Sequence, residues 1–181
     1  MEAEITGEIA TRMQIPLSGD ERAHLAKRPT TNLEAYKLYL KAIHHANRWT
    51  PEGLQKGIAF FQQALETDPA YPIAYSGLGY VYMMSGFLGI SSPRDAFPKA
   101  KSAALKAFEI EEDQPRAHLL LGITALAFDW DMAEAKRQLR IALRLAPNFA
   151  ISRWAWGHWL LAMGRCEEAI GEMKQALRLD P

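Results

Sequence analysis

"ISRWAWGHWLLAMGRCEEAIGEMKQALRLDP", residues 151–181, holds two amphipathic runs separated by Gly164-Arg165. Its second half repeats an upstream stretch, "AKRQLRIALRLAPNFA", at a fixed offset. Ala135 and Ala169, Ala142 and Ala176, and Pro147 and Pro181 are each 34 residues apart. A period of that length marks a stacked-repeat architecture, in which no single unit can bury its own apolar face.

Two further copies lie upstream. "GIAFFQQALETDP" ends at Pro69, and "AKSAALKAFEIEED" is degenerate, with Glu112 where proline would stand. Each copy follows another helical run: "EAYKLYLKAIHHAN", "IAYSGLGYVYMMSG", "RAHLLLGITALAF" or "ISRWAWGHWLLAMG". The unit is therefore helix, turn, helix. Gly79, Gly122 and Gly157 recur at one site of the first helices, and Ala100, Ala135 and Ala169 at one site of the second. Small side chains there let two backbones approach, while Leu78, Tyr82, Leu121, Trp156, Phe61 and Met173 fill the remaining space. A proline after the second helix stops it.

This pattern resembles the tetratricopeptide repeat, whose signature is W-x2-L-G-x2-Y, then A-x3-F, then P. The last unit carries it as Trp156-Gly157, Leu160, Ala169, Met173, Ala176 and Pro181, and the second as Tyr75, Leu78-Gly79 and Tyr82. The first carries Tyr36, Tyr39, Phe61, Ala64 and Pro69, with Gly57 at the usual alanine and Leu40 at the usual glycine. The resemblance implies an all-α, right-handed superhelix of about four repeats, near 33–71, 72–114, 115–149 and 150–181. The array would thus occupy 32–181, behind a helical segment or linker at 1–31.

Two units depart from the pattern. The first has extra residues around "NRWTPEG", where Thr50-Pro51-Glu52 reads as a helix start. The second has "FLGISSPRDAF". Phe87, Leu88 and Ile90 in that insert serve either a binding face or local packing.

Residues 1–31 carry no repeat signature. Ile5, Ile9 and Met13 have helical spacing, Pro16 ends that run, and a second short helix can start at Ser18 or Asp20. The stretch resembles the junction that follows a TolB-like domain in large bacterial regulators. By that resemblance the chain is part of a longer regulatory protein.

Composition narrows function. With 21 basic and 21 acidic residues the formal charge is zero, so there is no electrostatic case for nucleic acid or an anionic membrane. One cysteine excludes an intrachain disulfide framework and a Cys-rich zinc site. It also fits a reducing, cytoplasmic setting, with an extracytoplasmic one open if the parent is membrane-anchored. No apolar run reaches the ~18 residues of a membrane span. The N-terminus is too acidic and polar for a signal peptide.

No constellation points to catalysis, and neither a cofactor nor a metal is expected. His44 and His45 are adjacent and diverge on a helix; His24, His118 and His158 are isolated. Asp129 and Asp131 flank Trp130, and Asp131 is placed to cap the next helix. Cys166 follows Arg165 at a helix start, which favours thiolate, but it lacks an adjacent base.

Function is then expected from shape, as a non-enzymatic protein-interaction module. The family resemblance assigns groove-facing sites, which fall here on Lys37, Lys41, Ile73, Tyr80, Met83, Met84, Arg116, Leu119, Ile123, Leu126, Trp154 and His158. That set is an apolar trough with a basic end, suited to a protein or peptide partner. The carboxylate clamp of some relatives is not matched: Lys41 and Gly77 stand for its asparagines and Leu120 for its arginine. The rival expectation is a structural scaffold that dimerises. It would associate through Ile170, Met173 and Leu177 on the last helix, uncovered because no capping helix follows, or through the insert at 87–97. An enzyme would require a polar pocket assembled from distant residues.

Overall fold

The computed structural model describes residues 30–180. Eight α-helices are present among them, and their boundaries follow local chemistry. α1 (Leu33–Ala46) begins where the Asn32 side chain accepts from the backbone N–H groups of Glu34 and Ala35. α2 (Pro51–Thr67) begins at Thr50, whose hydroxyl accepts from Gly53 N at 3.0 Å. α3 (Pro72–Phe87), α4 (Pro93–Ile110) and α5 (Pro115–Thr124) likewise open on proline, whose missing N–H costs nothing at that position. α6 (Met132–Leu145) is capped by Asp131, as its position before an apolar run predicts. α7 (Ala150–Ala162) and α8 (Cys166–Leu179) complete the last pair, turning through Gly164 at φ 75°. The helical spacing of Ile5, Ile9 and Met13, the short helices expected before the array and the junction resemblance all lie outside the described residues.

The helices pack as antiparallel pairs, α1/α2, α3/α4, α5/α6 and α7/α8, stacked in chain order into an all-α superhelical array. Two apolar clusters run through it. One joins the first two pairs around Phe61, Leu54, Tyr71 and Val81. The other joins the last three around Leu119, Leu120, Leu139, Trp159 and Leu160. Small residues set the spacing within pairs. A Cβ on Gly79 would lie 3.1 Å from the carbonyl oxygen of Ala100, its counterpart on the paired helix.

The first pair closes differently from the others. Leu40, placed at the usual glycine, is 46% exposed, while Ala42 is fully buried. A Cβ on Gly57 would lie 3.0 Å from Ala46 Cβ and 3.2 Å from the Ala42 carbonyl oxygen, so Gly57 closes on these two alanines and not on Leu40. The apolar stripe Ala35, Tyr39, Ala42, Ala46 matches Ala74, Leu78, Val81 and the buried Ser85 of the second unit.

The insert in the second unit is largely absorbed into helix. α3 runs on to Phe87 and α4 starts at Pro93, leaving only a short turn. Phe87 packs edge-on against Phe97, with ring centroids 5.1 Å apart, and Phe97 stacks on Phe128 at 5.3 Å. Ile90 packs on the first cluster, while Phe87 and Leu88 stay about half exposed.

α5 ends in a π-turn, Ala125–Asp129, followed by Trp130 at φ 58°. One extra residue per turn re-aims the chain so that Asp131 can cap α6. Asp129 is held by Lys101 at 2.6 Å.

Candidate partner-binding groove

α3, α5 and α7 present one side chain set to a shared concavity of about 730 Å³. Tyr80, Met83, Met84 and Phe87 come from α3, Ile123 from α5, and Ile151 and Trp154 from α7. The far wall comes from α8 and the residue after it: Met173, Ala176, Leu177 and Asp180. The last helix is therefore part of the groove. Met173 and Leu177, which the sequence assigns to self-association, line the same cavity as Tyr80 and Trp154. Ile170 is exposed on α8 outside it.

The depth of each side chain differs. Met83 and Ile123 are each 2% exposed and form the floor. Trp154 is 43% exposed on the rim, its ring 4.0 Å from that of His158, whose Nδ1 donates to the Trp154 carbonyl oxygen. Trp156 and Trp159 stack on each other at 4.7 Å, and Trp159 Nε1 donates to the Met132 carbonyl, so this pair is structural. Leu126 and Ile73 pack against the two clusters and line neither groove cavity.

A second cavity of about 480 Å³ shares Tyr80, Ala150, Ile151 and Asp180 with the first. Its lining is mixed: Asn47, Trp49, Ser76, Arg116, Asn148 and Phe149 over Leu119 and Leu120. The Arg116 guanidinium lies 5.1 Å over the Phe149 ring. No carboxylate among the described residues pairs with it. Burial pushes the phenol of Tyr80 up, and the Arg116 charge partly opposes that shift. The Ser76 hydroxyl is buried with no hydrogen-bond partner among the described residues.

The expected basic end stands apart from the groove cavities. Lys37 is exposed and pairs with Glu34 at 3.6 Å, and Lys41 lies 5.8 Å over the Phe60 ring on α2. Neither lines the groove cavities. The first repeat instead contributes Asn47 and Trp49, from the turn between its helices. Trp49 adopts φ 54°, a conformation that non-glycine residues rarely take, and its ring stands edge-on to Tyr80 at 6.1 Å. Position rules for the first helices pass over these turn residues, as they pass over Asn148 and Phe149. The signal available for Trp49 was the extra length of "NRWTPEG".

Elsewhere polar groups serve the fold. His118 is buried with Nδ1 2.6 Å from Gln138 Oε1 and Nε2 2.8 Å from the Glu112 carbonyl. Cys166 is exposed at the start of α8. Among the described residues no group of three His, Cys, Asp or Glu is placed to hold a metal ion. No described helix is long and apolar enough to cross a membrane.

The chain has the tetratricopeptide fold. It superposes on a thermophilic TPR protein of Thermus thermophilus with a TM-score of 0.68, over 99% of this chain and 90% of that one, at 19% identity. MamA from Desulfovibrio magneticus matches at 0.56, over 99% and 95%, with 17% identity. A chain of the APC/C hetero-tetramer Cut9-Hcn1 matches at 0.60, over 98% and 35%, with 18% identity. In sequence, the chain is similar to the transcriptional regulator HilA of Salmonella typhimurium, 28% identical over 150 residues, or 83% of this chain. It spans 27% of that relative's length. No family model matches.

Proposed function

We propose that this chain is a non-enzymatic interaction module that holds a partner peptide in its concave groove, as one part of a larger regulatory protein. The observation that carries this is the apolar cavity of about 730 Å³, walled by Tyr80, Met84, Trp154 and Leu177. Aromatic side chains anchor partners well, and methionines repack around varied ones. The similarity to part of a transcriptional regulator supports the larger context, and the lone exposed Cys166 suits a cytoplasmic location.

The test is selection from a random dodecapeptide library on the purified chain, with the selected peptides retested on Trp154→Glu and Met84→Glu. Both side chains reach the cavity without forming its floor, so the variants keep their helical circular dichroism. Loss of binding is expected. No selected peptide, or equal binding to both variants, sinks the proposal.

Self-association has its own supporting observation: Ile170 and Leu177 are 53% and 65% exposed on α8. Light scattering across a concentration series separates the readings. A monomer throughout leaves the groove free for a partner, and a concentration-dependent dimer favours a scaffold built through α8.

A further inference from the structure

We propose that the second cavity reads a carboxylate. Arg116 receives the side chain of an Asp or Glu within the partner peptide, beside apolar residues that fill the neighbouring cavity. This rests on the groove reading and adds the chemistry of one recognised position.

The cavity is built for an anion with polypeptide around it. Arg116 has its guanidinium 5.1 Å over the Phe149 ring and no carboxylate partner among the described residues. A guanidinium over an aromatic ring keeps N–H donors that can bind a carboxylate in the bidentate fork geometry. Ser76, 1% exposed and with its hydroxyl unpartnered among the described residues, lines the same cavity. A buried hydroxyl without a partner is rare, and a ligand oxygen would satisfy it. The side-chain amides of Asn47 and Asn148 supply both donors and acceptors, which a peptide main chain needs and a simple ion does not.

Charge fixes the number of acids. Among the described residues Arg116 is the one cation lining the cavity, so one ligand carboxylate is matched, and a further one would meet only Asp180. Continuity fixes the place of the acid in the ligand. Tyr80 and Ile151 belong to both cavities, so a chain whose acid meets Arg116 runs on into the apolar one. The occupant is thus an internal acidic residue flanked by apolar side chains.

The experiment uses peptides selected from the random dodecapeptide library, resynthesised with amidated C-termini. Each is made with its acidic residue intact and with Glu→Gln or Asp→Asn. Affinities are read by fluorescence polarisation on the unaltered chain, Arg116→Gln and Arg116→Lys. We expect the amide exchange to weaken binding about tenfold on the unaltered chain. On Arg116→Gln the difference should shrink below about twofold, with Arg116→Lys between the two. Trp154→Glu should weaken acid and amide peptides alike.

Equal affinities of acid and amide peptides for the unaltered chain overturn the inference. So does an acid preference that survives Arg116→Gln, or binding that requires a free C-terminus. Peptides selected for apolar residues alone overturn this inference and leave the groove reading standing. A library that yields no binder overturns both.

Discussion

Leu139 occupies the space that a side chain on Gly122 would need. A Cβ on Gly122 would lie 2.7 Å from Leu139 Cδ2 and Cγ, and 3.2 Å from the Leu139 backbone nitrogen. The two helices of the third repeat touch at this point, and the contact exists only because position 122 has no side chain. Gly122→Ala should therefore destabilise the chain by about 1–3 kcal/mol through overpacking. Gly171→Ala is the matched control: it lies within α8 with nothing within 4 Å of the added Cβ. There alanine should stabilise by about 0.5–1 kcal/mol, from helix propensity alone. Urea unfolding of both variants checks the opposite signs.

Tyr71 is fully buried and its hydroxyl has no partner among the described residues. Tyr71→Phe should hold stability at neutral pH within about 1 kcal/mol, since no hydrogen bond is lost. Its effect appears in alkali. Burial pushes the Tyr71 phenol well above its ordinary value, and burial also raises Tyr39, Tyr80 and Tyr82. Above the ordinary tyrosine pKa of about 10, the unfolded chain loses these protons first. Stability is then fully present below that pH and falls as pH rises beyond it. Thermal melts from neutral to strongly alkaline pH should show that fall, shallower in Tyr71→Phe. Identical slopes would contradict the assignment.

Asp131 accepts from the backbone N–H groups of Ala133 at 3.1 Å and Glu134 at 2.9 Å. Asp131→Ala should cost about 1 kcal/mol by leaving the first turn of α6 uncapped, and Asp131→Asn should recover most of it. Asp129→Ala removes only the exposed pair with Lys101, and should cost well under 1 kcal/mol. Parallel chemical denaturation distinguishes the two aspartates.

Leu177 is mostly exposed, so Leu177→Glu should change folding stability by no more than about 0.5 kcal/mol. It should abolish any concentration-dependent association seen by light scattering. Because Leu177 also walls the apolar cavity, it should weaken peptide binding in the same preparation. A variant that stays dimeric would move the self-association surface off α8.

Periodicity alone made the helix pairs legible. Ala135, Ala142 and Pro147 recurring at Ala169, Ala176 and Pro181 state a repeated unit before any contact is known. The caps were equally local, since Thr50 and Asp131 act on N–H groups two or three residues away. The closing contact of the first repeat was not legible from the motif. Leu40 stands where the motif has glycine, yet it is half exposed, and Gly57 of α2 closes on Ala42 and Ala46 instead.

What the sequence determined by itself is the helix-turn-helix unit and its pairing, the caps at Thr50 and Asp131, and the small residues on which the later pairs close. These depend on contacts within a turn or between neighbouring helices, and such contacts leave a period. The groove depended on superhelical stacking. Only the stacking puts Tyr80, Trp154 and Leu177, from three different helices, around one cavity, and sinks Met83 and Ile123 to its floor. Only the stacking brings the turn residues Asn47, Trp49 and Asn148 to Arg116. Their meeting is fixed by the small rotation between successive helix pairs, a sum over many side-chain packings that no single repeat encodes.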